Sequence, residues 1–567
     1  MPLLPIPEFK PDLTDLDGNS TQTLLNVLPQ ADGYGPAKDF SVYSAALPAA
    51  NRGFFYGRNA DGTITVFAGT STKIFKLNNT DFTWIPVSKV VAVTTISNAS
   101  PAVVSLNSHG QAIGDAVVFS TTSALPTGLT AGTVYYVIAA GFTANAFEVS
   151  LTPAGAAINT SSAGSGTHSI TSSYTALPAG DQWQFAQFNN TVIATQINTA
   201  PQAFDLAAGA AFADLAGSPP QARYVAVVGF FIVLSGLGSS TPYRVQWSGL
   251  EAITTWTPGT NFSDYQDLPD GGIVRGVAGG EYGVISQDAA LRRMIYLPGS
   301  ATVFQIERIS EEKGILAPLS ITRSGERVFY MGTDGYKMLM PGAPPAPVGK
   351  ERVDRFLLGD IDTANLQLCI GASDPKGSRV FLAYKSLAGS VGLFDKLLCY
   401  DWAIDRFALI TMSGEYISSL ARPGVTLEGL DAISGSIDAL TFSLDDISTA
   451  AFSQLAGFNS AHKLGFYAGA NLEATLVSSE RSGDGRRLRV KGFRPVTDAA
   501  SVYGSTSIRE LASATPTFTA ETAMNAIGYV KQNVSTRYAK GKVRIPAGTA
   551  WTYVKGIEPD VTAEGRR

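Results

Sequence analysis

The sequence is poor in charge, cysteine and histidine, and it has no long apolar run. Lys, Arg, Asp and Glu make up 16% of its 567 residues, against about 25% in an average soluble domain. The formal net charge is −5. A strong nucleic-acid binder needs a basic excess to neutralise phosphates, so that class is excluded at the level of the whole chain. The two cysteines, Cys369 and Cys399, are too few for a disulfide framework. Both lie in apolar, strand-like stretches and are expected to be buried free thiols. No run approaches the ~18 to 20 apolar residues of a membrane helix. The start, Met1-Pro2-Leu3-Leu4-Pro5-Ile6-Pro7, lacks a charged and then apolar leader. No signal peptide is expected, and the chain is read as made in a cytosol and remaining soluble.

The same scarcity limits chemistry. The three histidines are His109, His168 and His462, and no Gly-x-Ser-x-Gly elbow accompanies them. There is no Cys/His spacing for zinc, no Walker A and no dinucleotide fingerprint. Asp15-Leu16-Asp17-Gly18-Asn19-Ser20 resembles the start of a calcium loop, but Ser20 stands where an EF-hand has Gly and Asn26 where it has Glu. A turn is the better reading. Asp264, Asp267, Asp270 and Glu281 cluster in one stretch. They alternate with turn residues, so solvated turns are the plainer reading, although a catalytic carboxylate pair is defined by space rather than spacing. The expected outcome is no catalytic residue, no cofactor and no metal.

What is abundant is glycine, serine and threonine among β-branched and aromatic residues, a mix that suits short strands and tight turns. Thr63-Ile64-Thr65-Val66-Phe67-Ala68-Gly69 and Lys73-Ile74-Phe75-Lys76-Leu77 flank a turn. Similar hairpins follow at 183–194, 224–247, 272–286, 327–338 and 379–410. From Phe67 to Phe329 they recur about every 40 to 50 residues once one insertion is removed, the period of propeller blades. Each blade is a small antiparallel sheet that buries its faces only by stacking around an axis. A set of β-sandwiches is the alternative.

The expected fold is therefore all-β. Residues 1–89 and 173–480 form a β-propeller core, 90–172 an inserted small β domain, and 481–567 a C-terminal β region that completes the core or a platform. The insert is marked by composition: residues 90 to 172 contain no Lys or Arg. Residues 427–444 are read as a helix or a long loop.

One basic cluster stands out, Arg481, Arg486, Arg487, Arg489, Lys491 and Arg494. Leu488-Arg489-Val490-Lys491 alternates apolar and basic, so one strand face is charged. Arg486, Arg487, Arg489, Lys491 and Arg494 are the candidate interface or DNA-facing residues, with a subunit interface the favoured of the two.

Several pieces occur in a particular order. Asn26-Val27-Leu28-Pro29 and Gly33-Tyr34-Gly35-Pro36 come first, then Trp183-Gln184-Phe185 and Thr199-Ala200-Pro201-Gln202. Val245-Gln246-Trp247-Ser248-Gly249-Leu250, Trp256, Asp270-Gly271-Gly272 and Gly279-Gly280-Glu281-Tyr282-Gly283 follow. Thr333-Asp334-Gly335-Tyr336, the run from Val348-Gly349 to Asp354-Arg355, Tyr400-Asp401-Trp402, Arg537-Tyr538 and Ile545-Pro546-Ala547-Gly548 to Trp551 complete the series. In order and spacing the chain resembles the tail nozzle proteins of short-tailed bacteriophages, also called tail tubular protein B or packaged-DNA stabilisation protein. The insert departs from that pattern and resembles small β modules of phage tails.

The resemblance implies a virion structural protein, made in the host bacterial cytoplasm and placed in the tail. It implies a propeller subunit and a homo-oligomer, a ring of six copies below the portal and adaptor. Fibres, spikes or a needle attach nearby. Double-stranded DNA is retained and conducted through the lumen without sequence specificity. A receptor-binding or fibre-like virion protein and a carbohydrate-active propeller enzyme are the alternatives.

Overall fold

The computed structural model describes every residue except 1–2, 17, 301, 312, 422–435, 437–452, 484 and 566–567. The stretch 427–444 thus falls, apart from Ser436, outside the described residues.

Six four-stranded antiparallel sheets and the first four strands of a ten-stranded sheet form seven blades. In chain order the blades begin at Phe54–Arg58, Gln184–Phe188, Ala222–Val228, Val274–Ala278, Thr322–Ser324, Ile370–Ser373 and Tyr416–Ala421. These first strands are innermost, and consecutive ones adjoin around the axis from blade 7 through blade 1 to blade 4 and from blade 5 to blade 7. Blades 4 and 5 meet through Ala278, Val284, Val328 and Leu339. The ring closes between Tyr416–Ala421 and Phe54–Arg58. This is a β-propeller in an all-β chain. Burial explains why these segments are strands: Phe231–Leu237, sandwiched between neighbours, is buried at every position.

Closure uses a strand from far away in sequence. Ser41–Ala46 is the outermost strand of blade 7 and pairs antiparallel with Lys463–Phe466. One ladder thus ties the two chain regions that would otherwise let the ring open.

Two expected boundaries change. The strands before Ser41 belong to no blade, and neither does Ala474–Val477. Leu24–Leu25 pairs parallel with the outer strand of blade 6, Leu409 opposite Leu25, and antiparallel with Ala474–Val477. The blade 6 sheet thereby runs on through Gly541–Ile545 and Tyr503–Ile508 to ten strands. A second sheet combines Leu4–Pro5, Val27–Gln30 and Gly33–Pro36 with Leu488–Thr497, Val530–Thr536 and Val554–Ala563. The reason is apolar pairing: Leu24, Val27 and Tyr34 bury against Leu476, Phe493, Trp551 and Ile557 in one core continuous with blades 5 and 6. The N-terminal residues and the C-terminal region together make a platform welded to the propeller.

Residues 90–171 fold into a five-stranded and a three-stranded sheet that pair with no blade strand. Val104, Val117, Phe119, Tyr135, Phe147 and Ile170 form their own core. Val90 pairs with Thr171, so the insert leaves and rejoins blade 1 at one point.

Candidate functional site

The basic cluster lies on the second platform sheet. Leu488–Thr497 is a central strand between Val530–Thr536 and Val554–Ala563. Arg489, Lys491 and Arg494 are exposed while Val490, Phe493 and Pro495 are buried. The register shifts between Val490 and Gly492. Without that bulge the two-residue period would turn Phe493 outward and Arg494 inward.

The face is not a bare positive patch. Arg489 Nη1 lies 3.3 Å from Glu564 Oε1, and its Nη2 donates to Asn533 at 2.8 Å. Arg487, half-buried, pairs with Glu510 at 2.8 Å and donates to the Ser535 carbonyl. Arg494 is directly opposite Glu558 and sits over the Tyr529 ring, whose hydroxyl donates to Asp560. Arg486 is exposed. Four carboxylates thus interleave with the cations, which cancels much of the field a phosphate backbone would feel beyond a Debye length of about 8 Å.

The other candidates are held in structural pairs. Asp267 accepts from both Nε and Nη2 of Arg244, at 2.7 and 2.9 Å, which holds its carboxyl below the usual range. Asp270 bridges Arg292 and Arg308 and is likewise lowered, chiefly by Arg292. A general acid requires the opposite shift. Asp264 and Glu281 are exposed. His109 lies between the Thr143 carbonyl and the Gln111 N–H, and His168 contacts Thr121. Asp15, from the stretch resembling a calcium loop, pairs with Lys540 at 2.6 Å. Among the described residues no group of three potential ligands could hold a metal. Both cysteines are free and fully enclosed, and burial pushes each thiol up to about 12, which makes them inert.

The motif residues that carry the family resemblance turn out to be packing devices. Trp183 donates its indole N–H to the Thr70 carbonyl, and a Cβ at Gly69 would lie 2.3 Å from the indole. Asp354 Oδ1 accepts from the Tyr336 N–H at 2.9 Å, and a Cβ at Gly335 or Gly349 would come within 2.2 or 2.0 Å of that carboxylate. Two stretches about a dozen residues apart are therefore one structural unit. The Asn26 side chain accepts from Thr411 N–H at 2.8 Å and donates to the Glu473 carbonyl, joining blade 6 to the platform.

The feature that sequence reasoning missed is the axis. A mouth of about 950 Å³ opens among blades 2 to 6 and is flanked by two neutralised pairs, Asp181–Arg223 and Asp288–Arg275. It adjoins an axial cavity of about 450 Å³ to which all seven blades contribute. Lining residues come from first strands that begin 38 to 130 residues apart, so no single local motif announces the cavity.

No protein-family model matches the chain, and no curated protein does. Among solved structures, the Neurospora crassa Pan2 WD40 domain aligns at 8% identity and a TM-score of 0.28, over 66% of this chain and 87% of that one. The Myceliophteria thermophila Cps50 (Swd1) β-propeller domain aligns at 7% and 0.26, over 67% and 92%. Dihydro-heme d1 dehydrogenase NirN aligns at 12% and 0.28, over 55% of this chain, which spans about 56% of that structure. At such scores these likenesses carry no argument; the sheet connectivity defines the propeller.

Proposed function

We propose that the chain is a structural, non-enzymatic subunit of a short-tailed phage tail nozzle. Copies assemble into a ring, probed first as a hexamer, below the adaptor and portal, where the ring extends the channel that retains and conducts packaged DNA. The observation that carries the reading is the distribution of the motif residues. Most serve turns, strand packing and the propeller–platform weld and are spread over the whole molecule, with Trp183, Gln184, Phe185 and Gly279 at the axial cavity; such a spread is what a scaffold requires. Supporting it, the ten-stranded sheet makes propeller and platform one stiff body. The low, interleaved charge suits a tube that must let a polyanion slide, since each neutralised phosphate adds affinity. DNA contacts in this reading are to phosphates and without base readout. Among the described residues no helix is long and apolar enough to cross a membrane. The virion tail is the proposed location.

Mixing the purified chain with portal–adaptor complexes and imaging them tests this. A closed ring below the adaptor is expected. A chain that stays monomeric beside bare adaptors, or that labels only fibres in whole particles, overturns it.

A further inference from the structure

The axial cavity contains one anomaly. Arg323, from the first strand of blade 5, lines it, and no other Lys, Arg, Asp or Glu does among the described residues. Its guanidinium lies 4.8 Å from the Tyr282 ring centroid. Nε and Nη2 are enclosed without any acceptor. Gly280 makes room for the group, since a Cβ there would lie 1.5 Å from Nη1. Arg52, Arg293, Arg352, Arg379 and Arg509 also have an enclosed Nε without an acceptor, but Arg52 donates to backbone carbonyls and the other four meet Glu307, Asp405, Asp401 and Glu480; among the described residues Arg323 alone has two such nitrogens. An enclosed N–H without an acceptor is costly, and more so on a charged group. The rest of the wall offers hydroxyls and an amide, Thr322, Ser373, Ser418, Ser419 and Gln184.

We propose that this cavity binds a small oxyanion, a phosphate or a carboxylate, centred on Arg323. A positive charge in a confined, carboxylate-free space favours an anion. Guanidinium matches the planar, multi-oxygen geometry of both classes. Serine and threonine hydroxyls and the Gln184 amide supply further donors. The ligand enters through the wider mouth, whose Asp181–Arg223 and Asp288–Arg275 pairs are neutral and pose no net barrier. A volume of about 450 Å³ admits a small metabolite and excludes duplex DNA, so the site is separate from the channel that assembled subunits would enclose.

Isothermal titration of the full chain with inorganic phosphate, sulfate, acetate and citrate, at constant ionic strength in chloride, tests it. One saturable site per chain is expected, and the phosphate and carboxylate arms distinguish the two classes. Arg323→Gln should weaken binding about tenfold or more, the loss of a charge-assisted contact, while Arg323→Lys keeps part of it. Should Arg323→Gln fail to fold, crystals of the unaltered protein soaked in selenate supply the second readout, an anomalous peak beside Arg323. No saturable binding of any of these anions, undiminished binding by a folded Arg323→Gln protein, or selenate elsewhere than Arg323 overturns the proposal.

Discussion

His462 Nδ1 lies 2.5 Å from Oε1 of the buried Glu415, while Oε2 of the same carboxylate accepts from the Asn51 N–H at 2.8 Å. Glu415 stands at the entry to blade 7, His462 in that blade's second hairpin, and Asn51 in the link from the closing strand to blade 1. One carboxylate therefore clasps the three pieces at which the propeller closes. Burial pushes the Glu415 carboxyl above its usual range, opposed only in part by the Asn51 N–H, His462 and Arg52.

The sign of the resulting pH dependence is fixed. An acid with a raised pKa in the fold binds its proton more tightly there than in the unfolded chain. Stability from this site is then greatest below the ordinary carboxylate value and falls as pH rises through the raised one. Glu415→Gln keeps an acceptor for Asn51 and removes the titration. The melting temperature of the natural chain minus that of the variant should decline from pH 4 towards neutrality. A difference that grows with pH would show that pairing with His462 outweighs burial.

The insert is docked by a buried cation. Lys73 of blade 1 donates to Gln111 Oε1 at 2.8 Å and lies 3.8 Å from Asp115, both in the insert. Burial pushes its pKa down to about 8 from 10.5. The unfolded chain binds more protons across that window, so stability should rise with pH from about 8 upward. Because Val90 and Thr171 are cross-strand partners, a short Gly/Ser linker can replace residues 90–172. The shortened chain is expected to keep one cooperative melt, because the insert has its own core. It should lose the pH-dependent gain, since Lys73 then reaches water. Denaturant unfolding of both chains at pH 8 and 9.5 checks this; a non-cooperative melt would make the insert integral.

Local periodicity carried much of the fold into the sequence reading. The hairpins at 224–247 and 379–410 are strongly patterned, and both are blade strands. The composition shift at residue 90 coincides with the start of the separately paired sheets. Illegible were the pairings that join remote segments. Leu24–Leu25 is two residues long and becomes a strand only because blade 6 and Ala474–Val477 flank it. Nothing local distinguishes Ser41–Ala46 as the closing strand of a blade whose pairing residue Lys463 lies 417 positions beyond Ala46. The basic strand was readable as a one-faced strand, but its acidic neighbours Glu558, Asp560 and Glu564 come from the end of the chain. The site proposed at Arg323 was invisible because it rests on two nitrogens whose lack of an acceptor shows only in three dimensions.

Gly335 offers a test of the motif packing. Its φ is +131°, and an added Cβ would lie 2.2 Å from the buried Asp354 carboxylate that caps the Tyr336 N–H. Gly335→Ala combines backbone strain with displacement of a buried hydrogen bond, for an expected loss of about 2–4 kcal/mol. Gly299→Ala, at φ +77° but with open space around it, should cost about 1 kcal/mol from backbone strain alone. Equal losses at the two positions, read from denaturant midpoints, would show that strain and not the Asp354 contact governs.

The last prediction concerns the basic strand. Changing Arg486, Arg487 and Arg489 together to Ala removes contacts to Glu510, Ser535, Asn533 and Glu564 at the platform surface. Exposed ion pairs contribute about 0.2–1 kcal/mol each, so the melting temperature should fall by no more than a few degrees. Weak duplex DNA binding by the isolated chain should stay weak, because Glu510, Glu558, Asp560 and Glu564 already offset the cations. What should change is assembly. The interleaved charges make a face that a partner of complementary pattern can read with specificity. If the chain is the nozzle subunit proposed above, the triple variant is expected to fold yet fail to join the tail, leaving particles that end at the adaptor. Particles with complete tails and a defect only in retaining or delivering DNA would place these arginines in the lumen instead, where six copies of the strand would face the moving polyanion.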